Sequence, residues 1–137
     1  MNAFFDTNVV LYAFDAAGDV KRKIAADLIC DHMNDRTITV STQVLGEFFV
    51  NATRKLIPPL SLADAKAVID HLRQFAVVPL DQALVMRAIE SHQQYQISYW
   101  DALIVAAAER ADCDIFYSED LNHEQEYLGV KAVNPFV

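Results

Sequence analysis

Glycine and proline are scarce in this chain, three and four residues among 137. No stretch therefore reads as a disordered linker, and neither an internal repeat nor a low-complexity segment is present. Cysteine is scarcer still. Cys30 and Cys113 lack metal-motif spacing, and without an export signal they read as reduced, buried thiols. Long apolar runs are missing: the longest, Ala102–Ala108, is far short of the ~20 residues that span a membrane. The first residues carry no Lys or Arg and meet Asp6 almost at once, so a secretory signal is not expected and the cytoplasm is the expected compartment. Basic charge is in deficit, with 11 Lys and Arg against 19 Asp and Glu and a formal net charge of −8. That balance argues against holding nucleic acid by bulk electrostatics. It still allows a nuclease whose acids gather in one site and are neutralised by metal. The few cations cluster at Lys21-Arg22-Lys23 and Arg54-Lys55. These read as a solvated helix start and a cation-stabilised helix C-terminus, and Lys21-Arg22-Lys23 and Arg54 are also candidates to steer a nucleic-acid backbone.

What is present is an ordinary globular mixture, 53% hydrophobic and 22% charged, in a length suited to one domain over residues 1–137. Strands are expected at residues 3–6, 37–40, 75–80, 114–117 and 130–133, from short apolar and β-branched runs. Helices are expected between them, over 9–16, 21–35, from Ser41 or Thr42 to about Leu56, after Ser61, over 82–95 and from Ser98 onward. Ser61-x-x-Asp64 and Ser98-x-x-Asp101 are capping-box patterns, and Asp81 is a further N-cap. A short helix or loop is expected over 121–128, broken at Gly129. Residues 102–108 are apolar on every side, which predicts a helix buried all round. Alternating strands and helices imply an α/β fold with a mostly parallel sheet covered on both faces.

The stretch of most interest is Phe4-Phe5-Asp6-Thr7-Asn8. A short strand runs into an acid, and a helix starts directly behind it. Open α/β sheets keep their ligands at such carboxyl ends, although all three polar residues are also good N-caps. Three further acidic positions can converge on the same edge. Asp101 opens the buried helix and aligns with Ile104, Val105 and Ala108 at about 100° per residue. Glu47 shares a stripe with Asn51 and Arg54, away from Val44, Leu45 and Phe48. Glu119-Asp120 leaves the fourth strand as Asp6 leaves the first. Each acid alone is equally a cap, a solvated surface group or a loop residue. Together, carboxylates about 4 Å apart would repel by ~4 kcal/mol per pair at a surface-like dielectric. A hard divalent ion, Mg2+ or Mn2+, relieves this, and the scattered His32, His71, His92 and His123 offer no zinc spacing. Without a phosphate-binding loop or a G-x-S-x-G motif, such a site points to phosphodiester hydrolysis.

Four segments in order carry a resemblance: Phe5-Asp6-Thr7-Asn8-Val9; Ser41-Thr42-Gln43-Val44-Leu45-x-Glu47-Phe48; Ser98-Tyr99-Trp100-Asp101-Ala102-Leu103-Ile104; and Tyr117-Ser118-Glu119-Asp120-Leu121. The set resembles the PIN domain and, more narrowly, the VapC-type toxins of bacterial toxin–antitoxin pairs. The resemblance implies a three-layer α/β/α sandwich with sheet order 3-2-1-4-5. It also implies Mg2+- or Mn2+-dependent endoribonuclease activity, a homodimer, and inhibition by a small cognate antitoxin whose C-terminal segment fills the groove. By position, Asp6, Glu47 and Asp101 match the family's first three acids. Thr7, Asn8 and Ser118 match polar groups that orient carboxylates or water. Many members place the fourth acid a few residues further on, in an Asp-Phe pair, where this chain has Asn122-His123. The role is assigned to Asp120, with Glu119 as second choice and otherwise a supporting group. A nuclease for RNA maturation, a flap-type DNA nuclease and an inactive PIN scaffold that binds a partner are the alternatives. A phosphotransfer receiver domain is set aside, because Asp6 lacks an acidic neighbour and Lys131 lies inside a strand.

Overall fold

A computed structural model describes residues 1–137. The elements, in chain order, are β1 (Ala3–Phe5), α1 (Thr7–Tyr12), α2 (Asp19–Asn34), β2 (Ile38–Ser41), α3 (Thr42–Arg54), α4 (Leu62–Leu72), β3 (Ala76–Val78), α5 (Gln82–Tyr95), α6 (Tyr99–Arg110), β4 (Ile115–Tyr117), β5 (Glu126–Tyr127) and β6 (Val130–Val133). The strands form one sheet of order β3-β2-β1-β4-β6-β5. All neighbours are parallel except β5 and β6. Helices flank this mostly parallel sheet, so β1 and β2 are buried at every position. Val130–Val133, the fifth strand expected from the sequence, lies beside β4 as that reading required.

Some boundaries differ from expectation, each for a local reason. Helix α1 begins at Thr7 rather than Val9, because Asp6 itself is the N-cap and accepts from the Thr7 amide. It ends at Tyr12, short of Ala16. The expected loop over 121–128 contains β5, which closes a two-residue hairpin onto β6. Leu128 and Gly129 both have positive φ, 52° and 80°, as a primed hairpin turn demands. On α5 the inner face is Leu84, Ala88 and Ser91, and Ile89 is exposed. Cys113 is buried, but Cys30, also expected inside, is exposed on α2.

Helix α6 runs through the middle of the domain. Seven consecutive residues, Ala102–Ala108, are buried, and the helix touches β2, β4 and β6 as well as α5. Four alanines in that run let neighbouring backbones approach closely. The helix starts under a cap, with Ser98 Oγ accepting from the Asp101 amide at 3.0 Å. Ser41, Ser61 and Asp81 cap α3, α4 and α5 in the same way. No helix is long and apolar enough to cross a membrane.

Packing of this kind makes α6 intolerant of voids. Leu103→Ala should lower stability by about 3 kcal/mol, read as a fall in the urea midpoint at unchanged m-value. A loss well below about 1 kcal/mol would mean that the site of Leu103 collapses freely.

Candidate active site

The parallel pairing of β1 with β4 sets Phe5 opposite Tyr117. One residue further on, both strands end in polar side chains. The Asp6 amide donates to the Tyr117 carbonyl at 3.0 Å, which extends the ladder by one step. Ser118 Oγ then donates to Asp6 Oδ2 at 2.8 Å and accepts from the Asp120 amide at 3.1 Å. One hydroxyl thus ties the end of β1 to the turn that carries Asp120.

Each residue of Asp6-Thr7-Asn8 serves a different acid. Asp6 Oδ1 accepts from the Thr7 amide at 2.7 Å. Thr7 Oγ1 donates to Glu47 Oε1, on α3, at 2.9 Å. Asn8 Nδ2 donates to Asp120 Oδ2 at 3.2 Å. Asp101 enters from the first turn of α6, and Gln43 Nε2 ties that turn to α3 by donating to the Trp100 carbonyl at 3.3 Å.

These elements bring Asp6, Asp101 and Asp120 together, each with a carboxylate oxygen within 4.8 Å of the others. Glu47 lines the same small pocket, of about 90 Å³, but stands outside that group. Glu119 turns away: its carboxylate accepts from the Tyr12 hydroxyl and pairs with Lys21 Nζ at 3.0 Å. Of the two candidates for the fourth acid, Asp120 lies in the pocket and Glu119 lies outside it. His123 is engaged by the Asn134 amide and lies in no acidic group. Gln43, Asn51, Trp100 and Ile104 also line the pocket without having been singled out as site residues. The four-residue spacing of Gln43, Glu47 and Asn51 along α3 was the available signal. A larger cavity of about 510 Å³ between α1, α2 and α4 is apolar and holds no acid.

The electrostatics of the pocket are unbalanced. None of Asp6, Glu47, Asp101 and Asp120 is in an ion pair. Asp6 is only 7% exposed. Burial pushes its pKa up to about 7, with the charges of Asp120 and Asp101 adding to the rise and the Ser118 and Thr7 hydrogen bonds opposing it. Burial also raises Asp101, against the Ser98 hydrogen bond and with Asp120 and Glu47 contributing. At the observed spacing a carboxylate pair repels by about 3 kcal/mol at a surface-like dielectric. A set of oxygen-only donors with no cation of its own fits a hard divalent ion. The basic cluster of α2 does not supply the missing charge. Lys21 is held by Glu119, while Arg22 and Lys23 pair with Asp19 and Asp27 on their own helix.

Comparison with known proteins agrees with this architecture. The PIN domain family model matches residues 3–126. A toxin–antitoxin complex from Klebsiella pneumoniae is similar in structure, with a TM-score of 0.71, 20% identity and 98% of each chain covered. Mycobacterium tuberculosis VapC20, described as a Sarcin-Ricin loop cleaving toxin, matches with a TM-score of 0.67 and 23% identity over 84% of this chain and 87% of its own. VapBC2 from Rickettsia felis, bound to a DNA fragment from its promoter, matches with a TM-score of 0.67 and 14% identity over 96% and 97%. No curated protein is significantly similar in sequence.

The Asp6 shift has a signed consequence for stability in chelator. The folded chain keeps this proton to about pH 7, whereas the unfolded chain releases it near 3.8. The stability so contributed is intact below 3.8 and is lost as pH rises through 7, by up to about 4 kcal/mol. The melting temperature in EDTA should therefore fall between about pH 5 and about pH 7.5, and Asp6→Asn should remove most of that slope. A wild-type melting temperature that climbs across this window would contradict the assignment.

Proposed function

The chain belongs to the PIN domain family, and from that premise we propose that it is a metal-dependent endoribonuclease, the toxin of a VapBC-type toxin–antitoxin pair. The observation that carries this reading is the convergence of Asp6, Asp101 and Asp120 within 4.8 Å, with no cationic side chain among them. It is supported by similar structures described as toxin–antitoxin complexes, and by one described as cleaving the Sarcin-Ricin loop.

Mg2+ or Mn2+ held by Asp6, Asp101 and Asp120 would supply Lewis acidity at the phosphate and acidify water. The residues of the chain do the rest. Asp6 is fixed in place by the Thr7 amide and the Ser118 hydroxyl, and as an ionised carboxylate it would be a ligand to that ion. Asn8 and the Ser118 hydroxyl hold Asp120. Glu47, oriented by the Thr7 hydroxyl, positions the attacking water and accepts its proton. The substrate is single-stranded RNA, the working form is a homodimer, a cognate antitoxin is the inhibitor, and the cytoplasm is the compartment.

A nuclease for RNA maturation would share this chemistry and differ only in substrate. An inactive binding scaffold would show no rise in melting temperature with Mn2+. Asp6→Asn and Asp101→Asn should each abolish Mn2+-dependent RNA cleavage and the growth arrest caused by induced expression, with circular dichroism unchanged. Glu47→Gln should slow cleavage by about a hundredfold. Undiminished cleavage in both aspartate variants would reject the assignment.

A further inference from the structure

Trp100 is the only tryptophan in the chain and it is 62% exposed. A large aromatic at that exposure gains nothing for the core, yet this one sits directly before Asp101 and lines the acidic pocket. Its surroundings hold it in place. The Tyr99 ring meets the indole edge to face, with centroids 5.0 Å apart, and Tyr99 in turn packs against the core. The Trp100 carbonyl accepts from Gln43. The platform is therefore anchored at its backbone and braced on one side, with most of its surface open to solvent.

The opposite wall of the pocket comes from α3. Gln43, Glu47 and Asn51 face the pocket from successive turns. Arg54 continues that stripe about 10 Å along the axis from Glu47, exposed and in no ion pair. A polyanion entering an acidic protein needs such a free cation beyond the metal, and amides such as Asn51 suit the polar edges of bases. This combination of an open aromatic face, amides and a terminal guanidinium favours a single nucleic-acid strand over an apolar protein partner.

We infer that Trp100 is a positioning residue for the substrate: the base of a nucleotide flanking the scissile phosphate stacks on its indole, which sets the register of the strand over Asp6, Asp101 and Asp120. This rests on the nuclease reading above. Stacking of this kind tolerates any base, so Trp100 fixes the position of the strand rather than its sequence.

The test uses the wild-type protein with Mn2+ and a mixed-sequence single-stranded RNA. Stopped-flow mixing should show quenching of the lone tryptophan before any cut product forms. Trp100→Ala should raise KM by about tenfold, with the loss falling on KM rather than kcat, and Trp100→Phe should recover most of it. If wild type cuts RNA but neither quenching nor a change in KM is seen, this inference is overturned and the nuclease reading stands. If Trp100→Ala instead dissociates the protein without moving KM, the indole belongs to a protein interface and the inference is equally overturned. If wild type neither cuts nor binds RNA, both readings fall together.

Discussion

Mutual repulsion among carboxylates is the constraint that the rest of the structure accommodates. Asp6 is buried, and Asp101 and Asp120 each bring an oxygen within 4.8 Å of it. Three full charges at that spacing would oppose folding by several kcal/mol. The fold offsets part of this through hydrogen bonds to the charged oxygens, each worth about 1.5–3 kcal/mol. Thr7, Asn8 and Ser118 supply them. The remainder is taken up by a proton on Asp6, whose pKa lies near 7, or by a bound cation. A site in which burial, and then the neighbouring negative charges, keep a proton on Asp6 up to about pH 7 is prepared to exchange that proton for a divalent ion.

Rigid elements keep the acids from relaxing apart. The β1–β4 pairing fixes Asp6 against Ser118. Helix α6 is buried along Ala102–Ala108 and touches three strands, so the backbone that carries Asp101 cannot shift outward without moving the core. Glu47 is the looser member. It stands on α3, is tied by one hydroxyl and lies outside the close group. That difference in restraint supports the roles proposed above, the three aspartates for the ion and Glu47 for the water.

Much of this was readable in the sequence because it is local. Ser41, Ser61, Asp81 and Ser98 announce helices by capping chemistry, and the short apolar runs before Asp6 and Glu119 announce strand ends. The alternation of strands and helices then places both strand ends on one edge. The unreadable features depend on partners far away in sequence. Glu119 and Asp120 are adjacent and chemically alike; only Lys21 and Tyr12, about a hundred residues earlier, draw Glu119 out of the pocket. The separate hydrogen bonds from Thr7 to Glu47 and from Asn8 to Asp120 have the same character. Strand β5 has two residues, too few for any periodicity. Exposure of Cys30 on α2 depends on which face of that helix meets the sheet, and its weak amphipathic pattern leaves this open.

Outside the pocket, acids either pair with nearby cations, as Asp19 and Asp27 do with Arg22 and Lys23, or stand apart from one another without a partner, as Asp31, Asp64 and Glu126 do. The pocket is where unpaired acids converge, and the account rests on an ion held between them. Calorimetric titration of Mn2+ at about pH 6, in buffers of differing ionisation enthalpy, tests this directly. The account predicts saturable binding with release of close to one proton per ion, and loss of both in Asp6→Asn. Absence of saturable binding, or binding with no proton released, would contradict it.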